Sequence, residues 1–527
     1  MGPSEDSGSR RVSENTAIFA GATAISRVVG LVREILANYL FGTGLGASAF
    51  TIASQIPNLM SNLFAQAALS AAFVPVFTDL LARGKKEEAH RLATTLFWIV
   101  TLVLGVITLL GIALAGLLLP LLGSSKFDAH AATVMTQVMF PVVLFLGMAG
   151  VVTGVLQSYG QFTLAALAPV VWNLVIITLT YVLRHDFGRN DIYAYAVAWT
   201  LATVVEFLLI TSALRGTEFR IRFYVDWHDP RIREVFILML PVTIGLGIVN
   251  LDALINSTMG TLVSSNGPRA IQDAFLLYMM PQGIFSVAVS TVLFPTLSRQ
   301  ASRRAAKDMR HTVATGMRQI NLLLIPSAAG LLALSRPIVR LVFMHGAFKL
   351  LSLDLTSQAL FWFAFSLPFA GLNLLMTRTF FALQRPWIPT KLAMINMTVD
   401  IVLSVGLYKP LGVAGLVIGT AGANIVMAAL QMRRLKIGFN GRLELGQTAM
   451  ITARILVASV LTGVIAHGVW SLVNGVVGVS IPGQIISVGF AIAVAGSFYV
   501  WAISHMRVPE WQEIEMMFKR RLGILGA

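Results

Sequence analysis

The chain has 527 residues, 56% hydrophobic and only 12% charged, and a mean hydropathy of +0.78. Soluble domains carry about a quarter charged residues, so this composition excludes a soluble globular protein and indicates a polytopic helical membrane protein. The net charge of +15 does not indicate nucleic-acid binding, because the basic residues form short clusters between apolar runs, and the absence of cysteine excludes disulfides, thiol catalysis and cysteine metal sites.

Apolar runs from end to end predict fourteen transmembrane helices, since about 20 apolar residues cross a hydrocarbon core of about 30 Å. The polar segment 1–14 is expected to be a disordered cytoplasmic tail. The predicted helices follow at 15–41, 47–82, 91–122, 129–157, 162–184, 191–214, 231–264, 269–298, 311–335, 351–383, 387–408, 411–432, 446–473 and 480–505, and residues 506–527 are expected to form a second cytoplasmic tail.

The distribution of lysine and arginine predicts the orientation of these helices. With the N-terminus in the cytoplasm, the inner connections hold 27 basic residues and the outer connections hold 8. The positive-inside rule therefore places both termini in the cytoplasm. Four arginines remain within the helices: Arg27, Arg33, Arg318 and Arg378.

A weak internal repeat divides the chain. "LQSYGQF" at 156–162 is similar to "LQRPWIP" at 383–389, and "FVPVFTDL" at 73–80 is similar to "LFPTLSRQ" at 293–300. Six helices separate the copies, so both halves insert in the same orientation, as in transporters with a central cavity between two lobes. The predicted parts are an N-lobe at 15–214, an amphipathic linker on the inner membrane surface at 215–230, a C-lobe at 231–432, and two further helices within 433–505.

The intramembrane arginines allow two interpretations. Arg27 and Arg33 point about 120° apart on a helix. In the first interpretation Arg33 pairs with a carboxylate, for which Glu34 is a neighbour, and Arg27 snorkels. In the second, both line a water-filled cavity and bind phosphate through bidentate hydrogen bonds. Arg378 either extends this positive wall from the other lobe or anchors its helix at the inner surface.

Intramembrane acids suggest a cation site. Asn396 and Asp400 are spaced i, i+4 and share one helix face, and Asp252 lies well inside the seventh predicted helix. Carboxylate and amide oxygens suit a hard cation. A proton shared between the carboxylates and simple helix–helix hydrogen bonding are the alternatives. The sequence shows no nucleophile motif, phosphate loop or ATPase signature, so we expect a transporter without enzymatic activity or an organic cofactor.

Several stretches resemble one family. "SRVVGLVRE" at 26–34, "SAFTIASQIPNLMSNLFAQAALSAAFVPVF" at 48–77, "GQFTLAALAPVVWN" at 160–173, "FPTLSR" at 294–299 and "RTFFALQRPWIP" at 378–389 are similar to the MurJ (MviN) family of the MOP flippase superfamily. The resemblance implies two six-helix lobes plus two C-terminal helices. It also implies export of lipid II, the undecaprenyl-diphosphate-linked peptidoglycan precursor, across the bacterial inner membrane by alternating access, in cell-wall biogenesis and the maintenance of cell shape.

The resemblance also assigns site residues. Arg27 and Arg33 match the family's two cavity arginines, and Asp252, Asn396 and Asp400, with Thr420, fall where sodium-binding members place ligands. Charged family residues are replaced at six positions: Ser48, Ser61, Asn62, Gln66, Phe275 and Leu276.

Lipid II and membrane lipids are therefore the expected partners, and a lipid II flippase is the leading prediction. An exporter of another polyprenyl-diphosphate-linked or amphiphilic substrate, and a non-transporting membrane scaffold with the same fold, are the alternatives.

Overall fold

The computed structural model describes residues 3–64, 66–122, 126–161, 163–227, 229–441, 443–512 and 515–516. Within these ranges the chain forms helices and no β-strand, as expected where backbone groups must be satisfied internally inside a bilayer. The α-helices longer than one turn are α1 (Pro3–Phe41), α2 (Leu45–Phe64), α3 (Gln66–Ala82), α4 (Lys86–Leu122), α5 (Ala129–Met139), α6 (Pro141–Ser158), α7 (Thr163–Leu183), α8 (Ile192–Ser212), α9 (Pro230–Val263), α10 (Gly267–Pro281), α11 (Val287–Ser302), α12 (Ala306–Phe343), α13 (Leu350–Ala382), α14 (Trp387–Leu411), α15 (Val413–Gly438), α16 (Leu445–Val477) and α17 (Ile481–His505).

Each predicted segment coincides with one helix or with two consecutive helices. The segment 47–82 forms α2 and α3, and 129–157 forms α5 and α6, where Pro141 begins a new helix because it lacks an N–H. A π-helical turn, Gln282–Ser286, separates α10 from α11 within 269–298. Among the described residues, eleven helical segments are long and apolar enough to span a membrane. The count of fourteen spans therefore remains a prediction.

Both ends of the chain are predicted to form tails. α1 begins at Pro3, within the segment 1–14 for which the sequence predicts a disordered tail; that tail stays a prediction. At the other end, Val508 is fully buried and Glu510 is 2% exposed. The beginning of the predicted tail 506–527 is therefore folded against the helices.

The linker 215–230 leaves a short helix, Ala213–Gly216, and is extended at Thr217. Buried Thr217 and Phe219 alternate with exposed Glu218 and Arg220, which is the two-residue period of an extended chain. Lys86 Nζ donates to Glu218 Oε2 at 2.8 Å. The linker is thus fixed to the start of α4.

The chain divides into two compact units. The first comprises Met1–Arg269 with His345–Phe348, and the second comprises Ala270–Met344 with Lys349–Ala527. α9 packs against α2 and α3 and belongs to the first unit, although the repeat places this helix in the C-lobe at 231–432. Contacts follow side-chain packing rather than internal sequence symmetry, and the lobes defined by the repeat remain a prediction.

Candidate functional site

Two buried arginines share one buried carboxylate in the first unit. Arg33 and Glu34 lie on α1, and Arg269 lies in the first turn of α10. Arg33 Nη2 donates to Glu34 Oε1 at 2.5 Å, and Arg269 Nη2 donates to Glu34 Oε2 at 2.7 Å. The side chains of Arg33 and Glu34 are each 12% exposed and that of Arg269 is 5% exposed. This Arg33–Glu34–Arg269 cluster therefore holds two positive charges and one negative charge largely away from solvent.

Aromatic rings and an amide surround the Arg33 guanidinium. Its carbon lies 4.9 Å from the ring centroid of Trp172 on α7 and 4.7 Å from that of Trp199 on α8. Arg33 Nη1 also donates to Asn173 Oδ1 at 3.0 Å. Gly30, one turn earlier on α1, faces the Asn173 amide and lets α1 and α7 approach closely. Cation–π contacts of this kind stabilise a charge that is removed from water.

The predicted arginines therefore occupy different environments. The structure pairs Arg33 with a carboxylate, as in the first of the two interpretations, and places Arg27 on an exposed face of α1. Arg378, on α13 of the second unit, donates from Nη1 to Thr291 Oγ1 at 2.9 Å. Sequence reasoning missed Arg269, which falls in a predicted outer connection. Glu34 was the signal in the sequence that could have indicated a second arginine, because an intramembrane carboxylate has two oxygen atoms and can accept hydrogen bonds from two partners.

The positions where the resemblance implies charged residues differ in their surroundings. Ser48 and Ser61 are buried. The Phe275 ring is partly exposed and lies 5.8 Å from Tyr278 and 5.7 Å from Phe363, between ring centroids. Two further positions have side chains outside the described residues: Asn62 and Gln66. Phe275 thus belongs to an aromatic cluster.

Polar oxygens meet between α14 and α15 in the second unit. Asp400 is 1% exposed. Thr420 Oγ1 donates to Asp400 Oδ2 at 3.1 Å, and Ser404 Oγ donates to Asp400 Oδ1 at 3.0 Å. Ser404 is a further member that sequence reasoning missed, although it continues the i, i+4 spacing of Asn396 and Asp400. The predicted residues Asp400 and Thr420 are therefore in direct contact.

A glycine and an orphaned amide complete this region. A Cβ atom at Gly419 would lie 2.2 Å from Ser404 Oγ and 2.9 Å from Asp400 Oδ1, so only glycine permits the close approach of α15. Asn396 Oδ1 is buried and has no hydrogen-bond partner among the described residues. A buried acceptor without a donor suits a cation, as do carboxylate and hydroxyl oxygens. We name Asn396, Asp400, Ser404 and Thr420 the α14–α15 oxygen cluster.

The remaining predicted ligand, Asp252, lies on α9. Its side chain is half-buried, one helical turn before Asn256. α9 belongs to the first unit, whereas the α14–α15 oxygen cluster belongs to the second. The structure thus assigns the predicted cation ligands to different units.

An ion-pair network fixes the start of α9. Asp229 precedes the helix and accepts hydrogen bonds from the Arg231 backbone N–H at 2.9 Å and from Arg231 Nε at 2.8 Å. These bonds outweigh the effect of burial and lower the pKa of Asp229. Arg231 Nη1 also donates to Glu88 Oε2 on α4 at 2.8 Å. The start of α9 is thereby joined to the start of α4.

Solved structures share this fold. One described as lipid II flippase MurJ in an inward-closed conformation superimposes with a TM-score of 0.77 and 20% identity, covering 93% of this chain and 99% of the other. An inward-facing multidrug-resistance MATE family transporter of the MOP superfamily gives a TM-score of 0.67 at 16% identity, covering 79% of this chain and 94% of the other.

Sequence comparison extends the likeness. A Vibrio cholerae protein named probable lipid II flippase MurJ is 26% identical over 477 residues, covering 88% of this chain and 90% of the relative. A Burkholderia cenocepacia protein named lipid II flippase MurJ is 28% identical over 406 residues, covering 75% and 78%. The family model described as lipid II flippase MurJ matches residues 37–486. The chain therefore belongs to the lipid II flippase MurJ family.

Proposed function

We propose that this protein moves lipid II across the bacterial inner membrane by alternating access, as a step of peptidoglycan biosynthesis. Family membership and the names of the relatives support this substrate. The observation that carries the proposal is the Arg33–Glu34–Arg269 cluster. Because two guanidinium groups converge on one buried carboxylate, the cluster concentrates positively charged groups in a desolvated place, where an anionic group is bound strongly.

In this proposal the arginines contact the diphosphate and the surrounding residues hold them in place. Arg33 Nε is buried without an acceptor among the described residues, so at least one N–H remains for a ligand. Glu34 orients both guanidinium groups, and the rings of Trp172 and Trp199 stabilise the positive charge of Arg33 while no anion is bound.

Complementation tests the proposal. In a bacterium depleted of its own lipid II flippase, this chain should restore growth and the appearance of lipid II in the outer leaflet. Arg33→Ala should accumulate in the membrane but lose transport by at least about tenfold, since one lost charge-assisted hydrogen bond is worth about 1.5–3 kcal/mol. A correctly inserted wild-type chain that leaves lipid II inside would contradict the proposal.

The aromatic cluster favours one alternative. Phe275 and Leu276 stand at positions where the resemblance implies an Asp-Arg pair, and the Phe275 ring packs beside Tyr278 and Phe363. A substrate that has the same diphosphate but a head group with fewer charges would suit contact with this aromatic cluster. Export of another polyprenyl-diphosphate sugar by the same cells, without export of lipid II, would select this alternative; export of neither would select the non-transporting scaffold.

We further propose that the α14–α15 oxygen cluster binds sodium. Its oxygens and the orphaned Asn396 amide support this assignment. Sodium should stabilise the purified protein against heat, by about 2.7 kcal/mol at a concentration 100 times the Kd. Asp400→Asn should abolish the shift, while the exposed control Asp354→Asn should retain it. A shift that is equal in potassium, or that survives in Asp400→Asn, would show a nonspecific salt effect.

A further inference from the structure

A groove lies where α16 begins and α17 ends, in the second unit. It has a volume of about 660 Å³ and is shallow and widely open to its surroundings. Apolar side chains from the first turns of α16 form one wall, among them Met450 and Val457, and the end of α17 brings Arg507 to the other. Arg454 stands between the two walls. We name this the α16–α17 groove.

The positive charge of the groove is not balanced by an acid. Arg454 and Arg507 are both exposed, and among the described residues no aspartate or glutamate lines the groove. Arg454 makes only weak contacts, from Nη1 to the Met506 carbonyl at 3.3 Å and from Nη2 to the Met450 sulfur at 3.7 Å. The Arg507 guanidinium has no hydrogen bond or ion pair among the described residues. The guanidinium groups of Arg454 and Arg507 can therefore both donate hydrogen bonds to one anion.

The backbone at Arg507 has a φ of +50°, in the left-handed region, as Arg304, Gln384 and Asn440 have after other helices. This position follows the last turn of α17, where glycine is the usual residue, and a side chain other than glycine costs about 1–2 kcal/mol. Arginine at this position lowers stability relative to glycine while it places a guanidinium at the edge of the groove.

The apolar wall faces the surroundings of the protein. Met450 is 59% exposed and Val457 is 53% exposed. Trp501 is 56% exposed, and its ring lies tilted by 40° to that of His505 with 4.5 Å between centroids. Tryptophan is enriched at the membrane–water boundary. Trp501 thus supports a position of the arginines at the level of lipid phosphates, with the apolar wall beside the acyl chains.

From these features we infer that the α16–α17 groove binds the head group of an anionic phospholipid. The phosphate lies between Arg454 and Arg507, and the acyl chains follow Met450 and Val457. Basic pockets between the cytoplasmic ends of transmembrane helices bind anionic head groups in this way. The site is separate from the Arg33–Glu34–Arg269 cluster, and Arg507 lies beyond the region 37–486 that the family model matches.

Thermal melting of the purified full-length protein in detergent tests the inference. Phosphatidylglycerol should raise the melting temperature more than phosphatidylcholine with the same acyl chains, and inorganic phosphate should have no comparable effect. Arg454→Gln and Arg507→Gly should each weaken the apparent affinity for phosphatidylglycerol about fivefold. The matched control is Arg434→Gln, an exposed arginine at the end of α15, which should respond like the wild type.

Arg507→Gly separates ligand loss from misfolding. Because glycine fits the left-handed backbone, this variant should melt without lipid at or above the wild-type temperature. A double variant, Arg454→Gln with Arg507→Gly, that keeps the full response to phosphatidylglycerol would overturn the inference. An equal response of the wild type to phosphatidylcholine or to inorganic phosphate would overturn it as well.

Discussion

Glu34→Gln is expected to destabilise the protein by about 3–5 kcal/mol, because it removes the buried carboxylate that Arg33 and Arg269 both contact. Arg33 and Arg269 are held by the two oxygens of this single carboxylate. Glutamine has nearly the same shape, so the loss reports the charge rather than a cavity. The measurements are the melting temperature in detergent and the amount of protein that accumulates in the membrane.

Variants of the two arginines on α1 provide the comparison. Arg33→Ala leaves Glu34 paired with Arg269, so it should cost less stability than Glu34→Gln while it abolishes transport. Arg27 is exposed, and Arg27→Ala should change stability by no more than about 0.5 kcal/mol. If Glu34→Gln, Arg33→Ala and Arg27→Ala all had the melting temperature of the wild type, the carboxylate of Glu34 would not be stabilising the buried arginines.

Glu510→Ala is expected to cost a similar amount, about 3–5 kcal/mol. Arg318 on α12 is 4% exposed and donates from Nε to the carboxylate of Glu510. Without this partner, Arg318 keeps a hydrogen bond to Thr315 Oγ1 at 3.0 Å and a long contact with Glu444 at 3.5 Å. The segment after α17 should then lose its attachment to α12, which a protease accessibility assay would detect beside the melting temperature.

An exposed ion pair in the same unit is the matched control. Arg336 and Asp354 are 2.6 Å apart, with side chains 58% and 53% exposed. Asp354→Ala should cost about 0–1 kcal/mol, since water solvates the remaining charge. The double variant Arg318→Met with Glu510→Leu should recover much of the stability lost in Glu510→Ala, because neither charge is then buried alone. Equal melting temperatures of Glu510→Ala and Asp354→Ala would contradict the proposal that Glu510 attaches the segment after α17 to α12.

Local sequence determined the helices and the membrane environment. An apolar run of sufficient length has a low free energy in lipid only as a helix, whatever its neighbours are, so all fourteen predicted segments coincide with helices. The spacing of Asn396 and Asp400 likewise set a shared face without any knowledge of partners. The stretches around 26–34 and 48–77 were specific enough to indicate the family.

Tertiary structure alone decided which groups meet. Arg33 reaches Asn173, 140 residues away, and Arg269 reaches Glu34 over 235 residues. Sequence pattern could show that a charge in a membrane needs a partner, since desolvation is costly wherever it occurs. It could not choose the partner, because that choice depends on which helices pack together, and helix packing depends on side-chain shapes distributed over the whole chain.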